Sequence, residues 1–495
     1  MFNTEQELVR IKKLEDLRAR NINPYPYKFE ISHTVADIRK DPAGLIAQGT
    51  VVTSAGRLMA IRGHGKSSFG NILDGTGKIQ IYFKADTLGE KYELLQLLDI
   101  GDFIGVTGQI FETHTKEITI VVSDFSFLAK SLHPLPEKWH GIQDIEMRYR
   151  KRHLDLIMNH EVKEVFHTRA KLMYNIREFL NKKGFVEVET PVLQPVYGGG
   201  FAEPFKTVYN ALGQEVYLRI SDELYLKRLV IGGFDKVYEF GKDFRNEGMD
   251  RSHNPEFTQL ELYQAYADYN DMMNLVEELF KTLSEGKEIE YQGQVINFSL
   301  PWKKIAFFDA IKEYSGFDLK NSTKEELAKL ATEKGITISK DYHRGKLLEA
   351  FFDEFVEPKL INPTFIIDYP KDISPLAKEH RADPTLVERF EPFIAGIEIG
   401  NAFSELNDPL EQLKRFTAQS GFREKGDFEA QPTDEDFIEA MSYGMPPTGG
   451  LGLGIDRITM FFTNSHSIKD VLLFPHMKTD KGDVPQNNLN EKSKD

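Results

Sequence analysis

Residues 256–263 alternate between two kinds of side chain. The odd-numbered positions are polar or aromatic: Phe257, Gln259, Glu261 and Tyr263. The even-numbered positions are hydroxyl-bearing or aliphatic: Thr258, Leu260 and Leu262. Because side chains two residues apart share one face of a β-strand, this pattern predicts a strand with one aliphatic and one polar face. A polar face is costly to bury unless it is wet or holds a ligand, so we expect this strand to form the floor of a site.

A second strand is predicted just before this one, ending in Phe244-Arg245-Asn246-Glu247. A glycine-containing turn and His253-Asn254 separate the two strands, which predicts an antiparallel pair joined by a loop. The planar guanidinium of Arg245 suits a phosphate or a carboxylate, because it offers several N–H donors in fixed directions. The alternative is that Arg245 and Glu247 form a structural ion pair and that Phe257 belongs to the core.

A glycine-rich run leads into a helix-like stretch at Gly450-Leu451-Gly452-Leu453-Gly454-Ile455-Asp456-Arg457. A dinucleotide-binding glycine loop is one explanation of this run. Its spacing lacks the Gly-x-x-Gly ending, however, and Pro446-Pro447-Thr448-Gly449 stands where a buried strand should come first. The other alternative is a glycine run with a purely structural role.

An acidic pocket is predicted from a third segment. Asn401, Phe403 and Glu405 share one face of a predicted strand by the same two-residue period. We expect Glu405 to join Glu261 and Tyr263 in a pocket with an aromatic wall. A dry, unpaired carboxylate raises its own pKa or destabilises the fold, so such a pocket should bind a cation. The alternative is internal pairing with an Arg or Lys of the chain.

The composition is that of an ordinary globular protein. At 495 residues with 40% hydrophobic content, the chain is long enough for about two or three domains. It has no cysteine, which excludes disulfides, thiolate nucleophiles and cysteine-ligated zinc. The net charge of −15 argues against indiscriminate coating of nucleic acid. The first twenty residues are too charged for a signal peptide and no run reaches membrane-spanning length, so we expect a cytoplasmic protein.

Two segments are predicted in the N-terminal part of the chain. Residues 1–49 are predicted to be helical, because Thr4 and Glu7 make a capping box before apolar residues at helical spacing. Residues 50–130 change to short strands with a strong hairpin signal at 74–77. This texture is typical of a five-stranded OB-type β-barrel, which binds oligonucleotides through an open face.

One helix, near 90–98, is predicted to interrupt these strands. Arg57, Phe69 and Gln80 would lie where bases can stack and form hydrogen bonds on such a barrel. The alternative is a barrel without a nucleic-acid role, since a lone exposed aromatic residue is often incidental.

The remaining boundaries follow from composition. A linker with a basic cluster is predicted over 131–159, and a second domain over 160–477, where helices alternate with strand-like runs. Amphipathic helices near 303–360 are predicted to form an insertion beside the main sheet. The polar residues 478–495 are predicted to be disordered. Together these segments predict an α+β protein.

In combination, the motifs resemble those of class II aminoacyl-tRNA synthetases. The second motif of that class combines an aromatic-Arg-x-Glu strand, a loop with histidine, then Phe and an acidic residue four positions later, as in 244–261. The third motif is Gly-x-Gly-x-Gly-x-x-Arg, which 450–457 matches. The first, dimer-forming motif is similar to 183–191 and implies a homodimer. Residues 220–229 and 398–408 resemble the lysyl-tRNA synthetases in particular.

The resemblance extends from the N-terminal helix to Phe474. It implies an anticodon-binding barrel followed by a catalytic domain built on an antiparallel β-sheet flanked by helices. It also implies aminoacylation of tRNA(Lys) with L-lysine and ATP through a lysyl-adenylate.

The resemblance also implies roles for single residues. Arg245 would bind the ATP α-phosphate and the lysine carboxylate. Phe257 would stack on adenine opposite Arg457, which would also reach the terminal phosphate. The other expected ATP contacts are Glu247, His253, Asn254 and Gly452. Catalysis would rest on Arg245 and Arg457 without a covalent nucleophile.

Lysine would be held at both ends. By resemblance, Glu223 and the backbone of Gly199 would bind its α-amino group, and Asn401 its carboxylate end. The ε-ammonium would lie among four residues: Glu261, Tyr263, Phe403 and Glu405. Glu391 and Glu398 correspond to the family's Mg²⁺ ligands, since hard carboxylates hold magnesium against phosphates.

The sequence departs from the family at two places. Glu203 stands where a basic residue is usual, and Val208-Tyr209 where paired histidines are common. Three rivals remain as alternatives. An aspartyl- or asparaginyl-tRNA synthetase would need a basic or amide lining in place of Glu261 and Glu405. A paralogue that modifies an elongation factor lacks the N-terminal barrel, and a catalytically silent tRNA-binding protein would not need the motif arginines and acids.

Overall fold

The structure is a computed structural model that describes residues 2–136, 142–338, 342–423 and 432–478. The chain divides into two compact units, Met1–Gln143 and Asp144–Asp495. Among the described helices, none is both long and apolar enough to cross a membrane. The predicted disordered tail lies outside the described residues from position 479 onward.

The first unit joins short helices to a five-stranded β-barrel, as the strand pattern predicts. Its elements are α1 (Glu5–Ala19), α2 (Val35–Lys40), α3 (Pro42–Ala47), β1 (Val51–His64), β2 (Ser67–Leu73), β3 (Lys78–Lys84), α4 (Ala85–Leu88), a 3₁₀ helix (Gly89–Leu97), β4 (Phe103–Glu112) and β5 (Ile118–Ala129). The barrel is closed in the order β1-β2-β3-β5-β4, with β3 parallel to β5 and the other neighbours antiparallel.

Local hydrogen bonds explain where two of these elements begin. The Thr4 hydroxyl accepts from the backbone N–H of Glu7, and the Glu7 carboxylate accepts from Thr4, which confirms the capping box of α1. In the turn between β2 and β3, the Asp74 carboxylate accepts from the backbone N–H groups of Thr76 and Gly77. The predicted hairpin is therefore confirmed.

The helix predicted near 90–98 is present, but it is mainly a 3₁₀ helix. The chain forms one turn of α-helix, α4, and then the 3₁₀ helix Gly89–Leu97. Gly89 has φ +55°, which ends the α-helix before the 3₁₀ turns begin.

The second unit contains one large sheet surrounded by helices. Its elements are α5 (Ile145–Arg150), α6 (Arg152–Met158), α7 (His160–Lys182), β6 (Val186–Glu187), β7 (Leu193–Gln194), β8 (Lys206–Tyr209), β9 (Gln214–Leu218), α8 (Glu223–Ile231), β10 (Lys236–Phe244), β11 (Glu256–Ala265), α9 (Tyr269–Leu283), β12 (Ile289–Tyr291), β13 (Gln294–Ile296), β14 (Lys303–Ala306), α10 (Phe307–Ser315), α11 (Lys324–Lys334), α12 (Arg344–Phe355), a 3₁₀ helix (Glu357–Lys359), β15 (Thr364–Pro370), a 3₁₀ helix (Lys371–Ile373), β16 (Leu386–Ile394), β17 (Ile397–Glu398), β18 (Gly400–Ser404), α13 (Pro409–Arg423), α14 (Glu435–Ser442), β19 (Thr448–Gly454), α15 (Ile455–Phe462) and α16 (Ile468–Val471).

The main sheet runs in the order β14-β15-β16-β18-β19-β11-β10-β6, and β17 pairs with β16. Only its outermost described pairs, β14–β15 and β10–β6, are parallel. Small separate sheets form from β12 with β13 and from β7, β9 and β8. The predicted antiparallel sheet and the α+β class are confirmed.

One face of β11 packs into the main core, as its alternating pattern predicts. Leu260 and Leu262 are fully buried, in one cluster with Ile176 of α7, Met272 of α9 and Phe461 of α15. These three helices therefore cover one face of the sheet. The opposite face of β11 is free to carry polar side chains.

The predicted linker is wrong at its C-terminal side. Asp144 accepts two backbone N–H groups and starts α5, so the second unit begins at Asp144 instead of residue 160. Arg152 of the basic cluster is buried in α6, where its guanidinium pairs with Asp155 at 2.5 Å. The cluster is therefore part of a packed region. Residues 137–141 of the predicted linker lie outside the described residues.

The predicted insertion at 303–360 is helical only in part. Lys303–Ala306 forms β14 at the edge of the main sheet, because Ile305 is buried between exposed lysines and the half-buried Ala306. α10, α11 and α12 follow, and α11 begins after the capping residue Thr323. Residues 339–341 lie outside the described residues.

Candidate active site

A cavity of about 390 Å³ opens over the polar face of β11, β18 and β19. All residues expected to contact ATP, lysine or magnesium line it: Gly199, Glu223, Arg245, Glu247, His253, Asn254, Phe257, Glu261, Tyr263, Glu391, Glu398, Asn401, Phe403, Glu405, Gly452 and Arg457. The sheet brings these distant segments together because β19 pairs with β11 on one side and with β18 on the other.

The glycine-rich run forms the centre of this floor. Its glycines lie in β19, a buried strand, and not in a loop before a helix. A Cβ atom at Gly450 would lie 2.0 Å from a carboxylate oxygen of Glu405, and one at Gly452 would lie 2.8 Å from the Gln259 amide nitrogen. Gly450 therefore makes room for Glu405 and for the Tyr263 ring, whose nearest carbon would lie 2.6 Å from the added atom, whereas a side chain at Gly452 would require the Gln259 amide to shift.

Two arginines lie at one end of the cavity. The Arg245 guanidinium lies 5.0 Å from the centroid of the Phe257 ring, and its Nε atom has no hydrogen-bond partner within the described residues. Arg457 contacts the carboxylate of Glu398 at 2.8 Å and the ring of His253 at 3.3 Å. The two guanidiniums suit this end to bind anions, and the Phe257 ring offers a flat face for stacking.

Buried carboxylates lie at the other end. Glu261 of β11 accepts hydrogen bonds from Gln259 at 2.7 Å, Ser221 at 2.8 Å and Tyr263 at 2.9 Å. Burial, together with the nearby Glu223 and Asp243 charges, raises the pKa of Glu261 to about 8. A bound cation would reverse this effect by stabilising the ionised carboxylate.

The expectation that Glu405 stays uncompensated is wrong. The ammonium of Lys227 forms ion pairs with Glu405 and, at 2.5 Å, with Glu223. Glu223 and Lys227 face the same side of α8 because they are four residues apart. Burial lowers the pKa of Lys227, but the two carboxylates outweigh it and raise the pKa overall. The alternative of internal pairing thus holds for Glu405, whereas Glu261 has no ion pair among the described residues.

Gly199 and Asn401, which are expected to contact the α-amino and carboxylate groups of lysine, are positioned by neighbouring residues. Gly199 has φ +85°, and a Cβ there would lie 2.8 Å from the Ser221 hydroxyl and 2.9 Å from Cβ of Glu223. A glycine is therefore required for the backbone to approach this end of α8. The side-chain oxygen of Asn401 accepts from Arg389 at 2.9 Å.

Sequence reasoning missed Lys227, Arg389 and Ser221 as site residues. Arg389 also donates to Glu391 at 2.5 Å, and it lies two residues before Glu391 on β16, where the two-residue period could have indicated it. Lys227 is four residues after Glu223, a spacing that was equally visible.

Two further carboxylates line the cavity, Glu391 and Glu398. Glu391 accepts from Tyr369 at 2.6 Å and from Arg389, while Glu398 accepts from Arg457. Burial raises the pKa of Glu391; Arg389 opposes this effect, and Glu398 adds to it. Such hard oxygens, each with a lone pair to spare, fit a magnesium ion that also holds phosphates.

Glu203 and Val208-Tyr209, where the sequence departs from the family, lie beside the cavity and on an edge strand, respectively. The Glu203 carbonyl accepts a hydrogen bond from the Asn246 N–H at 2.7 Å, which joins this loop to the segment just after β10. Val208 and Tyr209 lie in β8 and are exposed.

The expected base contacts all lie on the barrel of the first unit. Phe69 of β2 is 38% exposed and stacks on Tyr82 at 4.2 Å. Gln80 accepts from Thr119 at 2.8 Å, and Arg57 donates to the Gly101 carbonyl at 2.8 Å. Phe69 therefore presents the most accessible flat surface of the three.

Comparisons with known proteins agree with these two units. Residues 144–478 match the family model described as tRNA synthetases class II (D, K and N). Residues 52–128 match the model of an OB-fold nucleic acid binding domain.

Similar proteins are found along almost the whole chain. It is 53% identical to a lysine–tRNA ligase of Thermoanaerobacter pseudethanolicus, over 96% of this chain and 97% of that protein. It is 51% identical to lysine–tRNA ligases of Clostridium novyi, over 95% of this chain and 94% of that protein, and of Thermotoga maritima, over 95% and 96%.

Proposed function

We infer from its membership of the class II tRNA synthetases (D, K and N) that this chain is a lysine–tRNA ligase, which joins L-lysine to tRNA(Lys) with ATP. One observation carries the choice of amino acid: the cavity has arginines at one end and the buried carboxylates Glu261 and Glu405 at the other. Such a polarity fits a molecule with an anionic and a cationic end.

The reaction has two steps. The lysine carboxylate attacks the ATP α-phosphorus, a P–O bond breaks, and pyrophosphate leaves with the bonding electrons. A ribose hydroxyl at the end of tRNA then attacks the lysyl carbonyl, the bond from that carbon to the phosphate oxygen breaks, and AMP leaves with the bonding electrons while the hydroxyl proton is released. No covalent nucleophile of the protein is needed, so acceleration rests on positioning and on charge stabilisation.

The proposed roles follow the geometry of the cavity. Arg245 binds the α-phosphate and the lysine carboxylate, and Arg457 binds the terminal phosphate. Adenine stacks on Phe257, while further ATP contacts come from Glu247, His253, Asn254 and the Gly452 backbone. The position of all these groups on one cavity wall or floor supports this assignment.

Lysine binds in the acidic half. Glu223 and the Gly199 backbone hold its α-amino group, Asn401 its carboxylate end, and Glu261 and Glu405 its ε-ammonium. Tyr263 and Phe403 form the wall along its methylene groups. A substrate without the side-chain ammonium leaves buried charge uncompensated, a penalty on the order of 10⁴-fold for sites built around one polar group.

Glu391 and Glu398 would hold Mg²⁺, which neutralises phosphate charge when bound. This chain's own residues orient the two carboxylates: Tyr369 and Arg389 fix Glu391, and Arg457 fixes Glu398.

The barrel is proposed to bind the anticodon through Arg57, Phe69 and Gln80. The chain is also proposed to form a homodimer and to act in the cytoplasm. The apolar side chains of Val186, Val192 and Leu193, which flank Pro191, are 47%, 39% and 53% exposed, which supports an interface there.

The test is pyrophosphate exchange with each amino acid in turn, followed by charging of unfractionated tRNA. We expect exchange with lysine alone and lysine attached to tRNA. Exchange with aspartate or asparagine would favour another synthetase on this scaffold, and no exchange at all would favour a silent tRNA-binding protein.

A further inference from the structure

One ammonium, that of Lys227, lies against two of the carboxylates that line the acidic end of the cavity. This side chain is 1% exposed and contacts Glu223 on its own helix and Glu405 at the end of the β18 segment. Its Nζ atom also lies 5.3 Å from the centroid of the Phe403 ring and 5.9 Å from that of Tyr263. A buried lysine in this position needs both carboxylates to remain charged.

The two carboxylates come from distant parts of the chain. Glu223 begins α8, whereas Glu405 follows β18, which pairs with β19. Lys227 bridges them through Oε1 of Glu223 and Oε2 of Glu405. The other oxygen of Glu405, Oε1, has no hydrogen-bond partner among the described residues, so it is available to a ligand.

We propose that Lys227 is a specificity-determining residue whose ammonium fixes the distance between Glu223 and Glu405, and thereby the length of side chain that is accepted. This inference rests on the proposed function, in which these two carboxylates receive the α-amino group and the ε-ammonium of lysine. An amino acid shorter by one methylene would reach one carboxylate and miss the other.

Charge balance supports the same role. Glu223, Glu261 and Glu405 are buried, with exposures of 5%, 4% and 1%. Lysine brings two ammonium groups to them, and its carboxylate belongs to Arg245. One buried carboxylate would stay uncompensated without a third cation, which is costly in a low-dielectric site. Lys227 supplies that cation.

The experiment compares lysine with ornithine, its analogue shorter by one methylene, in pyrophosphate exchange by the full chain. The variants are Lys227→Met, which removes the bridge, and Lys227→Gln, which keeps N–H donors in case the first variant does not fold. Lys236→Met is the control, because Lys236 contacts a backbone carbonyl of Lys183 and the Phe185 ring outside the cavity.

We expect both Lys227 variants to raise the lysine KM about 10-fold or more, while kcat changes by less than about 3-fold. We also expect the preference for lysine over ornithine, as a ratio of kcat/KM, to fall about 10-fold or more. A folded Lys227→Gln variant with an unchanged preference, or with a loss confined to kcat, would overturn the inference. Absence of lysine-dependent exchange in the unmodified chain would instead overturn the proposed function.

Discussion

Arg457 donates two hydrogen bonds to Glu398, to its carbonyl at 2.9 Å and to its carboxylate at 2.8 Å. The arginine of the glycine-rich motif and a proposed magnesium ligand therefore neutralise each other. In the proposed roles, ATP would contact Arg457 and its metal ion Glu398, so this pair would link nucleotide binding to metal binding.

Glu398→Gln should raise the Mg²⁺ concentration for half-maximal pyrophosphate exchange about 10-fold or more, because a charged oxygen ligand is lost. Titration of exchange activity with MgCl₂ measures it. Glu354→Gln, at an exposed position of α12, is the matched control. If the unmodified chain and both variants needed the same Mg²⁺ concentration for half-maximal exchange, Glu398 would not be a magnesium ligand.

Arg245→Ala should abolish lysine-dependent exchange while the fold survives, since the guanidinium lines the cavity and its Nε has no hydrogen-bond partner within the described part of the chain. We expect a loss of about 10³-fold, the scale of a transition-state charge contact. Arg245→Lys should recover little, because an ammonium lacks the planar fork. Normal exchange by the Ala variant, with an unchanged melting temperature, would contradict the assignment.

Glu405→Gln should raise the lysine KM sharply, by about 10²-fold, because it removes a charge that Lys227 contacts and that we propose as a partner of the substrate ammonium. Steady-state exchange at varied lysine concentration measures this effect. The KM for ATP should stay within about threefold, since the proposed ATP site is at the other end of the cavity. An unchanged lysine KM would place the ammonium site elsewhere.

The kcat/KM for lysine should depend on pH through Glu261, because burial raises the pKa of this carboxyl to about 8. Because the proton must leave before the carboxylate can pair with an ammonium, kcat/KM for lysine should rise with pH from about 7 to 8.5. A flat profile in that range would argue against Glu261 as the ligand.

The same group gives a stability test of opposite sign. The raised pKa means that folded Glu261 binds a proton that the unfolded chain, with an ordinary pKa of 4.5, releases. Its contribution is therefore fully present below pH 4.5 and is lost as pH rises through 8. Glu261→Gln should gain stability relative to the unmodified chain between pH 6 and 8, as urea unfolding would show. If the free energy of unfolding changed equally with pH in both proteins, the raised pKa of Glu261 would be contradicted.

Phe69→Ala should weaken tRNA charging without changing pyrophosphate exchange, because Phe69 lies on the barrel of the first unit. Loss of one stacked base costs about 1–3 kcal/mol, so we expect the KM for tRNA to rise about 5- to 150-fold. Tyr27→Ala, at a fully exposed aromatic residue outside the barrel strands, is the control. Equal charging by both variants would remove Phe69 from the tRNA contact.

Local sequence patterns predicted most of the fold. The alternation at 257–263 placed Leu260 and Leu262 in the core and the polar residues over the cavity, since side-chain direction in a strand depends only on position. The motif at 450–457 was recognised, but its glycines proved to form a strand that leaves room for Glu405. That need depends on a neighbouring strand, which local pattern does not specify.

Pairing across the fold was the part that sequence did not reveal. The carboxylates Glu261 and Glu405 look alike in the sequence, yet Lys227 pairs with only the second. The basic cluster near Arg152 was assigned to a linker because charge is visible in a sequence and burial is not. Both misjudgements concern charged residues whose partners come from tertiary packing.

Gly450 limits how this pocket can be redesigned. Any side chain at that position would meet the carboxylate of Glu405 at 2.0 Å, so an engineer cannot narrow the cleft from this strand without first removing the acid. Attempts to reprogramme the chain toward other amino acids must therefore begin at β18 or α8, and a library that varies position 450 alone should return inactive clones.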